Sequence, residues 1–134
     1  MDVKEIPIPA LAVIRVGKED KSAIFETKII QTTDNKYIYT MPVRVDRKLV
    51  NFNVKGLIKE IRIQFAQNEY YVWKNISIIP FVEDGRRYLR IKTTTPGIRI
   101  QEFVAKRYKG AEKIIQNLGL SQPESVDQGG QERE

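Results

Sequence analysis

Along most of the chain, apolar and polar residues alternate one by one, which is the period of a half-buried β-strand and not of a helix. "ALAVIRV" (Ala10 to Val16) opens the series, and "AIFETKIIQTT" (Ala23 to Thr33) follows a polar "GKEDKS" turn. A second turn at Asp34-Asn35 precedes "KYIYTMPVRV", where Tyr37, Tyr39, Met41, Val43 and Val45 alternate with Ile38, Thr40, Pro42 and Arg44. Pro42 removes a backbone donor and predicts an edge or a bulge there. "LVNFNV", "GLIKEIRIQF" and "EYYVWKNISIIPF" continue the pattern, and in "IRIQF" Ile61, Ile63 and Phe65 take one side while Arg62 and Gln64 take the other. An "EDG" turn then leads into "RRYLRIK", with Leu89 and Ile91 inward and Arg86, Tyr88, Arg90 and Lys92 sharing the opposite face.

Seven or so short strands with turns at near-regular spacing predict a mainly β fold, a small antiparallel barrel of six to seven strands. The period changes only near the C-terminus. From Glu102 to Leu118, Val104, Tyr108, Ala111, Ile115 and Leu118 recur at steps of three and four before Gly119, the pattern of one amphipathic helix. Gly110 in its middle costs about 1 kcal/mol against alanine and predicts a bend. Residues 1–120 are thus expected to form a single domain, with the helix against the barrel or docked on a partner. Residues 121–134, polar and carrying Glu124, Asp127, Glu132 and Glu134, read as a disordered acidic tail.

Composition narrows the chemistry. With 134 residues and 41% apolar content, the chain suits one core. It has no cysteine and no histidine, which removes disulfides and the usual zinc, copper and haem ligand sets, so no metal or cofactor is expected. Neither a phosphate loop of the GxxxxGK type nor a GxGxxG turn occurs. Paired acids such as Glu83 and Asp84 fall in a predicted hairpin turn, a solvated setting and not an acid–base site. These features argue against an enzyme. No apolar run is long enough for a membrane span, and the start lacks the order of a secretory signal, so a cytoplasmic location is expected. The first 120 residues carry 22 bases against 13 acids, a balance of +9 that favours anionic partners.

Taken in order, "FETKIIQTTDNKYIYTMPVRV", "VNFNVKGLIKEIRIQF", "EYYVWKNISIIPF" and "YLRIKTTTPGIRIQ" resemble the N-terminal β-barrel (PilZN) domain of flagellar-brake-type cyclic di-GMP receptors. Pro42, Gly56, Ile61, Phe65, Tyr71, Trp73, Leu89, Ile91, Pro96, Ile98 and Gln101 occupy the matching places, over about Ile24 to Val104. In the full receptors the closing "IQ" runs directly into an arginine-rich "RRxxxxR" linker and then a PilZ domain bearing "D/N-x-S-x-x-G". Here Gln101 is followed by Glu102 and Phe103. "NISIIP" (Asn75 to Pro80) has proline in place of that glycine, and "RRYLR" (Arg86 to Arg90) comes after it, in reversed order. The resemblance implies a non-enzymatic protein-interaction or regulatory module in bacterial motility or second-messenger signalling, without the motifs that bind cyclic di-GMP and with another protein as partner.

The candidate surface is the basic stretch near the end of the β pattern. Arg86, Tyr88, Arg90 and Lys92 project from one strand face, and Arg99 joins them if "TPGIRIQ" runs alongside. Cations interleaved with an aromatic suit phosphate contact and base stacking, so single-stranded nucleic acid is the alternative partner. The plainer alternative is that the guanidinium stems cover the outside of the barrel and pair with Glu60, Glu69 or Glu83.

Overall fold

β-Branched and aromatic residues at alternate positions build strands wherever the sequence pattern is regular, and tight turns separate them. The computed structural model describes residues 2–33, 36–103 and 118–122. A short 3-10 turn (Val3–Glu5) precedes β1 (Ala10–Lys18), β2 (Lys21–Thr33), β3 (Tyr37–Thr40), β4 (Arg44–Val45), β5 (Lys48–Val50), β6 (Ile58–Ala66), β7 (Glu69–Lys74), β8 (Ser77–Glu83), β9 (Arg86–Lys92), β10 (Ile98–Ile100) and β11 (Ser121–Gln122). Eight of these strands form one antiparallel sheet in the order β10-β7-β6-β1-β2-β3-β9-β8, and β11-β5-β4 form a second, smaller one. Asp46 and Arg47 (φ 56° and 68°) turn β4 into β5, and Asp84 and Gly85 (φ 52° and 74°) turn β8 into β9. Both are two-residue turns with two left-handed positions, whose twist matches that of the flanking strands.

The sheet is open: β10 and β8 are its ends, and no ladder joins them among the described residues. A closed barrel was the expectation; the described residues form an open sheet, and one local connection sets how strongly it curls. "EYYVWKNISIIPF" is two strands, broken where Asn75 takes a left-handed φ of 52°. Two residues therefore carry the chain from β7, next to one end of the sheet, to β8 at the other. Six ladders at about 4.8 Å each would separate those strands by about 29 Å in a flat sheet. Three Cα steps span at most about 11 Å. The sheet is consequently strongly curled, barrel-like in its two-sided burial, with the junction made by single contacts: the Ile76 amide donates to the Lys59 carbonyl (3.3 Å) and the Thr94 hydroxyl to the Asn75 carbonyl (3.4 Å).

Inside the curl lie Ala12, Ile14, Val16, Ile29, Ile38, Ile61, Ile63, Trp73, Ile78 and Ile91, all almost completely buried. Phe25 meets Phe52 edge to face at 5.4 Å. Gly97 lies flat against the Trp73 indole, where an added Cβ would stand 2.5 Å from a ring carbon, so a side chain at 97 would have to displace the tryptophan. Pro42 falls between β3 and β4, where the chain leaves the large sheet for the small one. Leu118 and Leu120 are buried in the same core, and Asn51 donates a backbone hydrogen bond to Leu120.

Gly119 has φ 72°, a left-handed conformation within the turn that leads into β11. Of the amphipathic helix predicted over Glu102 to Leu118, residues 104–117 lie outside the described residues; Glu102 and Phe103 carry no regular structure, Leu118 lies in a turn, and Phe103 stacks on Tyr70 at 5.9 Å. The acidic tail was expected from Ser121, but Ser121 and Gln122 pair with Val50 and Leu49 as β11, so the folded part extends at least that far. Residues 123–134 lie outside the described residues. No described helix is long and apolar enough to cross a membrane.

Candidate functional site

β9 is paired on both sides, with β3 through Ile38↔Ile91 and Tyr39↔Arg90, and with β8 through Ile79↔Arg90 and Phe81↔Tyr88. Residues opposite one another in antiparallel strands share a face. Leu89 and Ile91 therefore go inward with Ile38, Thr40 and Ile78, while Arg86, Tyr88, Arg90 and Lys92 go outward with Tyr37, Tyr39, Ile79 and Phe81. Arg86 and Lys92 are exposed; Tyr88 and Arg90 are half-buried among neighbours.

Arg90 is the centre of this face. Its guanidinium carbon lies 5.4 Å from the Tyr37 ring centre and 5.1 Å from that of Phe81, within cation–π range of both. Tyr39 meets Phe81 edge on at 5.4 Å, which completes a ring-lined bed. The Arg90 Nε is buried and meets no hydrogen-bond acceptor among the described residues. A charged donor in that position has lost water without gaining a partner, a cost that the ring faces offset only in part.

Arg99 does not join this face. It pairs with Tyr71 on β10-β7, and through Tyr71↔Ile63 and Ile63↔Ala12 the register places it with the inward set. Its position is also at the other end of the strand order. There it forms an exposed ion pair with Glu69, 3.7 Å apart. The reason is parity: a one-residue offset in a strand exchanges the two faces, and the pairing of β10 with β7 is invisible in the local pattern.

The plainer reading of the arginines applies elsewhere in the fold. Arg62 Nε donates to Glu60 at 2.8 Å, two residues apart on the outer side of β6, and Glu60 is 8% exposed. Arg15 Nε donates to Ser22 at 3.2 Å. Among Glu60, Glu69 and Glu83, the first two thus hold Arg62 and Arg99, neither of them in the cluster of β9.

Tyr37, Tyr39 and Phe81 are the parts of the site that the sequence does not disclose. Each belongs to a strand recognisable from its alternation, but the meeting of Tyr37 and Tyr39 with Arg90 depends on a β3–β9 ladder more than fifty residues apart in the chain, while Phe81 reaches it across the β8–β9 hairpin. Among the described residues, no group of three or more carboxylates converges as a cation cage would. Lys59 is the one described group with a clear shift: burial lowers its pKa, with Nζ donating to the Val54 carbonyl at 3.3 Å. No family model, curated protein or solved structure matches this chain.

Proposed function

We propose that this chain is a non-enzymatic interaction or regulatory module whose working surface is the outer face of β3-β9-β8. The observation that supports this reading is the setting of Arg90: a guanidinium held between two rings, with a buried donor lacking an acceptor, flanked by exposed Arg86 and Lys92. Aromatic and arginine side chains gathered on one face are the composition of interface hot spots. The proposed partner is another protein. The setting, bacterial motility or second-messenger signalling, rests on the PilZN-like residue pattern between Ile24 and Val104.

Cyclic di-GMP itself is not the expected ligand. Ser77 to Pro80 lie inside β8 and Arg86 to Arg90 inside β9, so neither string is a free loop able to wrap a dinucleotide. Titration calorimetry with cyclic di-GMP should give no binding heat; a saturable isotherm would remove this part of the proposal. For the partner, immobilised wild-type chain and an Arg86→Ala/Arg90→Ala variant are compared as baits in a bacterial lysate. Motility or signalling proteins kept by the first and lost by the second support the module. Equal retention by both contradicts it.

One observation favours a second reading. Rings beside cations, Tyr37, Phe81 and Tyr88 with Arg86, Arg90 and Lys92, also suit single-stranded nucleic acid. That reading predicts binding that falls with salt, with a log–log slope of about −2 if those three cations each neutralise one phosphate. Absence of binding to oligonucleotides at low salt would eliminate it.

A further inference from the structure

On the opposite side of the same hairpin the inward residues Pro80 and Val82 of β8, unlike Ile78, do not close against the core. They face the small sheet across a cleft of about 50 Å³, with Pro42, Leu49 and Phe52 on one wall and Pro80 and Val82 on the other. The space fits one aliphatic side chain. Val82 at its rim is 50% exposed, although it belongs to the inward set that includes Ile78 and Leu89, which are 1% and 6% exposed. β8 also ends the sheet, so the backbone groups on its far side have no strand partner among the described residues.

We infer that this cleft and the free side of β8 form a docking slot for an extended, acidic segment of a partner protein, added as one more strand with an aliphatic residue in the cleft. Strand addition uses both features at once: main-chain hydrogen bonds supply affinity, and a pocket for an alternate side chain supplies specificity. The charge around the slot selects an acidic segment. The β4–β5 turn and the hairpin tip carry Arg44, Arg47, Lys48 and Arg87 against Asp46 and Asp84 on this side, four cations to two acids; Arg86 and Glu83 face the other way. Arg47 and Lys48, next to Leu49 in the cleft wall, are exposed. A second copy of this chain is the poorer occupant. Pro80, in the middle of β8, has no N–H, so a two-fold β8–β8 ladder would carry the same defect twice at its centre, a known protection of edge strands. This slot is separate from the ring-lined face around Arg90, and its occupancy does not depend on what that face binds.

The test uses the full chain, labelled with ¹⁵N, and a short synthetic peptide alternating glutamate with valine. Saturable amide shifts confined to Ser77–Glu83 and Leu49–Phe52 are expected. Val82→Glu, an exposed position that leaves the remaining spectrum folded, should weaken binding by about tenfold or more, and so should replacing the peptide's glutamates by lysine. Arg90→Met should leave this binding unchanged, whereas it should abolish capture through the outer face, so the two ideas fail separately. The inference is overturned if β8 amides do not move, if the lysine peptide binds as well, or if those amides shift with protein concentration alone, which would seat a second copy there.

Discussion

Two arginines on the outer side of the same sheet meet different surroundings. Arg62, on β6, stands beside a carboxylate on its own strand, and that carboxylate is nearly buried. Arg90, on β9, stands between rings contributed by β3 and β8, with its Nε lacking an acceptor among the described residues. Around Arg62 the outer face is finished: Val13 and Val72, its cross-strand neighbours on β1 and β7, are 1% and 2% exposed. Around Arg90 the rings are half-exposed and two further cations are open to solvent. One arginine completes a local structure; the other holds hydrogen-bonding capacity in reserve. An arginine-rich strand is therefore not evidence of a binding face until its neighbours across the ladder are known.

The same substitution at the two sites should separate them. Arg62→Met leaves the Glu60 carboxylate nearly buried without its donor, and urea denaturation should show a loss of about 2 kcal/mol, within the range for a buried acceptor left unsatisfied. A loss below half of that would mean that Glu60 is satisfied without Arg62. Arg90→Met keeps an apolar stem between Tyr37 and Phe81 and removes a donor that has no acceptor, so its stability should stay within about 0.5 kcal/mol of wild type. Its partner capture should nonetheless be lost. Should it unfold the chain as readily as Arg62→Met does, Arg90 would be a structural residue and the contrast would disappear.

The smallest effect concerns Lys59, the neighbour of Glu60 that faces the other way. Burial lowers its pKa, so the unfolded chain holds that proton more tightly than the folded one. Stability from this group therefore rises as pH climbs from its folded pKa towards the unfolded value near about 10.4. Lys59→Met should be slightly more stable than wild type at neutral pH, with a flatter stability profile on the alkaline side. An unchanged slope would assign the pH dependence to other groups.

The contrast also marks how far the chain could be read without coordinates. Strands were legible where β-branched residues gather or alternation is strict: Ala10 to Val16 and Arg86 to Lys92 reappear in β1 and β9, and the "EDG" turn is the β8–β9 connection. The outward direction of Arg86, Tyr88, Arg90 and Lys92 followed from period two alone. What stayed hidden depends on pairing between distant strands or on single backbone angles. Nothing in "EYYVWKNISIIPF" announces that Asn75 turns left-handed, yet the strand breaks there into β7 and β8, which lie six ladders apart in the large sheet. Arg99 shows the same limit, because its face is set by which residue of β7 it meets. Tyr37 and Phe81 were readable as strand residues but not as the flanks of Arg90.

The Arg90 Nε–H is itself an observable proton, and its resonance in the full chain reports on the proposed working face directly. Upon addition of the protein captured by the wild-type bait, that signal and the ring signals of Tyr37 and Phe81 should shift together, with the Arg62 Nε–H unmoved. Movement of Arg62 alone, with the Arg90 signal and its rings unchanged at saturation, would contradict the account.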